Sequence, residues 1–170
     1  MKAIYLTKKQ IQQLVGATTK SPKASEEQHR CLHFKKNFIE AHNHRVAKRL
    51  VLNEVFKQGF TIHAASLLRV ATNKTLIEID YKRKMLWINN EYTIPMHSEK
   101  EYPRIDNLFV RDTDCRFVDV NLSVLAIRGT IKGLLETDTI RLYPTKRRIH
   151  IDSVQNPNLL ISIDSEGWSA

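Results

Sequence analysis

Apolar residues alternate, then recur at three- and four-residue spacing, then alternate again, and the 170-residue chain runs through this order three times. Ala3–Leu6 reads as a short strand. Thr7 then opens a helix as a capping box, its hydroxyl placed to take the Gln10 N–H while the Gln10 side chain reaches back. Ile11, Leu14 and Val15 form the inward stripe, Lys8, Lys9, Gln12 and Gln13 fall largely on the other side, and Gly16 is expected to stop the helix. The polar run TTKSPKASEEQH has no period and reads as a loop. Strands are expected at Arg30–Lys35, Asn37–Ala41 and Arg45–Leu52. The last two would meet in a hairpin at His42-Asn43, because Asn tolerates the left-handed backbone of a tight turn.

After Asn53–Gly59 the pattern restarts, with a strand at Phe60–Ile62, a helix at Ala64–Ala71 and strands at Thr75–Asp80, Met85–Asn89 and Glu91–Pro95. The connector HSEKEYPRIDN follows, and Leu108–Val110 is a candidate for a further strand. A third restart has a strand at Arg116–Val120, then a helical stripe of Val124, Leu125, Ile127, Ile131, Leu134 and Leu135, with Arg128 and Lys132 one turn apart on another face. Strands at Thr139–Tyr143, Arg148–Asp152 and Leu159–Ile163 close the pattern before the tail SEGWSA. Three βαβββ units make an α+β chain, expected to divide into a domain of two units (1–57 and 58–106) and a half-domain (107–170). If every helix lies on the same side of its sheet, the sheets form one outer layer and the helices line the other side. An odd half-domain leaves a sheet edge of the kind that protein chains cover by association.

Charge sharpens this picture. The net charge is +9, and residues 1–57 carry 12 Lys/Arg against 4 Asp/Glu while residues 106–170 carry 8 against 9. An anionic partner is therefore expected on the first third, and counterion release makes nucleic acid a natural one. No apolar run approaches the ~20 residues that span a bilayer, and the first ten residues lack the apolar core of a signal peptide, so the expected compartment is the cytoplasm without membrane association. Cys31 and Cys115 have no CxxC partner and no histidines at zinc spacing, which points away from a disulfide framework or a structural metal.

The residues themselves resemble a family. IYLTKKQIQQLVGATTK resembles the strand and helix that open a domain of the bacterial replicative sliding clamp, the beta subunit of DNA polymerase III. IEAHNHRVAKRLVL is similar to that family's hairpin, its His-Arg-aliphatic part standing here as His44-Arg45-Val46, with His42-Asn43 in place of the family's Asp-Gly turn. The run from Phe60 to Tyr102-Pro103 looks like the second half of a clamp domain, and the run from Phe117 to Asp164 like the closing half of the last one. The resemblance implies a DNA clamp (processivity) fold of about one and a half clamp domains. It also implies a protein that performs no bond chemistry, needs no cofactor, encircles duplex DNA and tethers DNA polymerase or other clamp-binding proteins, with a clamp loader as a further partner. Twelve units close a ring in the family, so three per chain would close one as a homotetramer.

Carried over to this chain, the inner wall needs sequence-blind attraction for phosphates. Lys8, Lys9, Gln12, Gln13, Arg69, Lys74, Arg128 and Lys132 are the candidates, each alternatively a solvated helix position. The family's hydrophobic peptide groove falls on Leu32, His44, Arg45, Val46, His63, Leu67, Leu68, Leu159, Leu160, Ile161 and Ile163, whose aliphatic members could equally be core. The family's Met-Pro-Met is Ile161-Ser162-Ile163 here.

Other signals are weaker. His42-Asn43-His44 lacks the longer motif of a ββα-metal nuclease, and Glu26-Glu27 and Asp112/Asp114 sit in loops with no apolar pocket to separate their roles. Lys82-Arg83-Lys84 reads as a solvated hairpin tip, and there is no GxGxxG, GK[ST] or GxSxG. The readings that compete with a clamp are a mobile-element or phage protein that borrows the clamp surface, and a simple basic nucleic-acid-binding module.

Overall fold

The computed structural model describes residues 2–19, 24–43, 45–110, 118–121, 139–145 and 148–164, the stretch 118–121 by its backbone. The first run is β1 (Lys2–Leu6), α1 (Lys8–Val15), β2 (Cys31–Lys35), β3 (Phe38–His42) and β4 (Val46–Val51). The second is β5 (Phe60–His63), α2 (Ala64–Val70), β6 (Thr75–Asp80), β7 (Met85–Ile88) and β8 (Tyr92–Pro95). The third contains β9 (Val118–Asn121), β10 (Thr139–Pro144), β11 (Arg148–Ser153) and β12 (Leu159–Asp164). The helical stripe expected from Val124 to Leu135, with Arg128 and Lys132, lies outside the described residues, as does His44.

Local chemistry explains where these elements begin and end. The Thr7–Gln10 capping box forms in both directions, Thr7 N–H donating to Gln10 Oε1 at 2.9 Å and Gln10 N–H to the Thr7 hydroxyl at 3.1 Å. Gly16 ends α1 in right-handed conformation, so it is not a left-handed stop. A Cβ at Gly16 would lie 3.0 Å from Nζ of Lys48, whose side chain is buried, so glycine here admits a close approach. The hairpin between β3 and β4 also differs from expectation. His42 is the last residue of β3, and Asn43 makes the turn with its side chain, Oδ1 accepting from Arg45 N–H at 2.8 Å and Val46 N–H at 2.9 Å. At the three-residue tip between β7 and β8, Asn89 and Asn90 take positive φ, 53° and 59°, a backbone that Asn tolerates. Within the run read as an unstructured loop, Ala24–Arg30 forms 3₁₀ turns stiffened by an Arg30–Glu27 ion pair of 3.0 Å. Leu108–Val110 is no strand, because Asp106–Phe109 is 3₁₀.

Every ladder is antiparallel, in two sheets ordered β1-β6-β7-β8 and β5-β2-β3-β4-β12-β11-β10-β9. The first strand of each of the first two runs thus lies in the other run's sheet, β1 beside β6 and β5 beside β2. The apolar faces of the two sheets bury Ile4, Leu6, Ile77, Ile79, Leu86 and Ile88 on one side and Leu32, Phe34, Ile39, Leu50, Phe60 and Ile62 on the other. α1 and α2 pack on each other and on these strands. Among the described residues no helix is long and apolar enough to cross a membrane.

The opposite face of β2-β3-β4 is not left to solvent. The segment after β8 folds back over it and is held by buried charge. His33 Nδ1 faces Glu40 Oε1 at 2.9 Å and its Nε2 faces Glu99 Oε2 at 2.7 Å, while Arg49 donates to Glu40 Oε2 through Nε at 2.8 Å and Nη2 at 2.6 Å. Arg49 also reaches Asp106 at 2.7 Å and lies over the rings of Phe38 and Phe109, 4.0 and 4.5 Å from their centroids. Tyr102 is buried beside them, its hydroxyl 3.1 Å from His42 Nδ1. Burial, with the Glu40 carboxylate adding to it, holds the Tyr102 hydroxyl well above its usual range.

Glu40 is 2% exposed, and removing it takes away the partner that half-buried Arg49 and buried His33 share, leaving them only Asp106 and Glu99 at the edge of the network. Glu40→Ala should lower stability by about 3–5 kcal/mol. Asp106, whose side chain is 65% exposed, meets the same guanidinium in solvent, and Asp106→Ala should cost under about 1 kcal/mol. Urea unfolding of both variants checks this, and equal shifts in midpoint would contradict the ranking.

Candidate nucleic-acid interface and partner cleft

The helical layer displays part of the expected basic set. Lys8 and Gln12, one turn apart on α1, are exposed, as is Arg69 on α2, and Lys9 is half-buried. Gln13 departs from expectation. It is 1% exposed, because the layer formed by α1 against α2, β3 and β4 covers a wider arc of α1 than the Ile11-Leu14-Val15 stripe implies. Lys74 leaves the set in another way. It is exposed, but its ammonium stands 5.0 Å from the centroid of Tyr5, which points to the side of β1 opposite Ile4 and Leu6 and therefore away from the helices.

The residues assigned to a peptide groove do not share one surface. Val46 and Ile163 are register partners across the β4–β12 seam, as are Leu50 and Leu159, and Ile161 sits opposite Lys48. Val46, Leu159, Ile161 and Ile163 are buried there, and Leu32 and Leu67 are fully enclosed in the core. Leu160 is half-buried on the reverse face, opposite Arg49, and Leu68 is half-buried on α2. Arg45 is exposed at the hairpin tip.

His63 stands elsewhere again, in a cleft of about 210 Å³ lined also by Glu27, Cys31, His97, Glu101 and Tyr102. The 3₁₀ turns supply Glu27, strands β2 and β5 supply Cys31 and His63, and a bridge between Thr61 and His97 brings in the connector. His63 and His97 stack with ring centroids 5.2 Å apart. Burial and then the neighbouring His97 ring pull the His63 pKa down, against a raising pull from Glu27. Burial, helped by Glu27, pushes the Cys31 thiol up to about 11, so it is a poor nucleophile at neutral pH. Among the described residues no group of three or more His, Cys, Asp or Glu is placed to hold a metal ion.

Two features escaped the sequence pattern. Lys48 is a fully buried lysine on the same face of β4 as Val46 and Leu50, beneath the carbonyl end of α1, where helix C-termini favour cations. Its even spacing between two apolar residues was the available signal. The Glu40–Arg49 pair was equally accessible, since both lie on the polar face of the hairpin, but only its register sets them opposite each other.

No family model matches the sequence, and no match is found among curated proteins. Solved structures do match. The DNA polymerase III beta subunit of Thermotoga maritima aligns with a TM-score of 0.63 at 11% identity, over 95% of this chain and 64% of its own. The beta chain from Streptococcus pneumoniae aligns with a TM-score of 0.68 at 8% identity, over 96% of this chain and 64% of its own. The Pseudomonas aeruginosa sliding clamp bound to griselimycin gives 0.60 at 10% identity, again over 95% and 64%. This chain therefore spans about 64% of the length of the clamp chains it matches, at identities that speak for the fold alone. With its sheet-rich α+β architecture and exchanged first strands, the chain has the fold of the bacterial DNA polymerase III beta subunit, the sliding clamp, in a shortened, clamp-like form.

Proposed function

We propose that this protein is a DNA sliding clamp, a non-enzymatic processivity factor of the cytoplasm that closes as a homo-oligomeric ring around duplex DNA. In this reading it tethers a polymerase or other DNA-processing proteins. The observation that carries the reading is the clamp fold running through 95% or more of the chain. The exposed Lys8, Gln12 and Arg69 on the helical layer support it, since a sliding contact needs cations and amides that meet phosphates without reading bases. Arg128 and Lys132 extend the same wall in this proposal. The domain of residues 1–106 and the half-domain of 107–170 are its building blocks, and four chains of 19.8 kDa would make a ring of about 79 kDa.

Partner peptides are proposed to dock beside the β4–β12 seam on the sheet face that carries Leu160, with Arg45 exposed at the neighbouring hairpin tip and His44 next to it in the sequence. A second reading, a protein that borrows the clamp surface to capture clamp-binding peptides or to cap another clamp, is favoured by the 64% span of the matched chains. The two separate on DNA. A ring stays on nicked circles once loaded and slides off linear duplex, whereas a decoy binds peptide and ignores duplex. A simple basic module would bind linear duplex with a steep salt slope and no dependence on ends.

Two mutational outcomes follow from the clamp reading. Replacing Lys8, Lys9 and Arg69 with Gln should weaken retention on circular DNA. It should also flatten the slope of log K against log salt by about 0.9 per lost phosphate contact, about 3 in all. An unchanged slope in the variant, folded by circular dichroism, would remove this face from DNA contact. Leu160→Asp should abolish capture of a clamp-binding peptide in fluorescence anisotropy while leaving the unfolding free energy from urea titration within about 1 kcal/mol of the parent, because the new carboxylate stays partly solvated opposite Arg49.

A further inference from the structure

The cleft beside His63 carries a charge that the rest of the chain does not suggest. On a protein of net charge +9, this space of about 210 Å³ is bordered by two carboxylates, Glu27 and Glu101, and among the described residues no lysine or arginine lines it. Two further walls carry no charge at neutral pH. Burial raises the Cys31 thiol to about 11, and burial followed by the His97 ring lowers the His63 pKa from its ordinary value, so one wall is an uncharged thiol and the other an uncharged ring face.

The walls are held in place by contacts of their own. His97 N–H donates to the Thr61 carbonyl at 2.8 Å and Thr61 N–H to the His97 carbonyl at 3.0 Å, which ties the connector to β5. The His63 and His97 rings stack with 29° between their planes. Tyr102 N–H donates to the Glu99 carbonyl at 2.9 Å and closes the turn that carries the exposed Glu101. Glu27 stands on the 3₁₀ turns opposite. Arg30, at 3.0 Å, and His63, at 3.6 Å, both meet it through Oε1, and Oε2 takes part in neither contact. A site built in advance loses little freedom when it is filled.

We propose that this cleft receives the side chain of an arginine presented by a partner protein, its guanidinium lying against the stacked histidine rings between the carboxylates of Glu27 and Glu101. Charge complementarity selects a cation here and turns away phosphates and acidic segments, which the same two carboxylates repel. The mixture of ring face and carboxylate selects among cations. A guanidinium is planar, so it stacks on a ring while its N–H fork donates to carboxylate oxygens in the same plane, whereas a lysine ammonium is a compact, strongly hydrated charge with no plane to stack. The cleft stands at β2 and β5, with β3 and β4 between it and Leu160 on β12 in the sheet order. Its test uses neither DNA nor a clamp-binding peptide, so failure of the clamp reading would leave it standing.

The test titrates the full chain at neutral pH with acetyl-arginine amide, acetyl-citrulline amide and acetyl-lysine amide, following the imidazole C–H signals of His63 and His97 by NMR. Citrulline keeps the shape of arginine and removes its charge. Arginine should displace both histidine signals saturably, with citrulline and lysine binding at least about fivefold more weakly. Glu101→Gln, a change at an exposed side chain, should weaken arginine binding about threefold and leave citrulline binding and the backbone spectrum as they are. Citrulline or lysine binding as tightly as arginine would overturn the proposal. So would the absence of a saturable shift with all three probes, or an arginine affinity unchanged in both Glu101→Gln and Glu27→Gln.

Discussion

The β4–β12 ladder is the constraint on which the arrangement of the eight-stranded sheet depends. It is an antiparallel pairing between residues more than a hundred positions apart, from Leu50 opposite Leu159 to Val46 opposite Ile163. Both strands are interior to the sheet, so each must satisfy its backbone groups on two sides, and neither can be displaced without exposing a row of donors and acceptors. The seam is dry as well as bonded, since Val46, Leu50, Leu159, Ile161 and Ile163 are all buried. Among the described residues it is the ladder that makes one layer of the first and third runs.

Charge is sorted between the two sides of this layer. The surplus in residues 1–57 suggests a uniformly basic surface, but several of those cations are paired with carboxylates or buried. Arg49 is held by Glu40 and Asp106, Arg30 by Glu27, Lys35 lies 3.7 Å from Glu99, and Lys48 is buried beneath α1. What remains toward solvent on the helical layer is sparser, chiefly Lys8 and Arg69 with Gln12 between them in chemistry.

The buried network on the other face fixes the connector rather than the sheet. Glu40 accepts from Arg49 and faces His33, and these reach Asp106 and Glu99 on the segment that follows β8. Tyr102 is buried beside these charges, and the Arg49 guanidinium lies over the rings of Phe38 and Phe109. A buried network of this kind adds little net stability over an apolar packing, but it admits one arrangement of its members, and so it specifies where the connector lies.

The amino-acid sequence by itself determined most of the elements. The Thr7 capping box, the Asn89-Asn90 tip, the alternation in β6 and the restart of the pattern after Gly59 are all written in neighbouring residues, because capping, turn chemistry and side-chain periodicity act over a few positions. The tertiary structure decided what no local pattern can carry. A turn built on Asn43 rather than on His42-Asn43 slides the hairpin so that Glu40 faces Arg49, and being an even slip it keeps every side chain on its face while changing its partner. The same holds for the burial of Gln13 and Lys48, the exchange of β1 and β5 between sheets, and the burial of Val46, Ile161 and Ile163 at the seam. Each depends on which distant segment arrives alongside, and that choice is made by the pairing of strand edges and the packing of layers across the whole molecule.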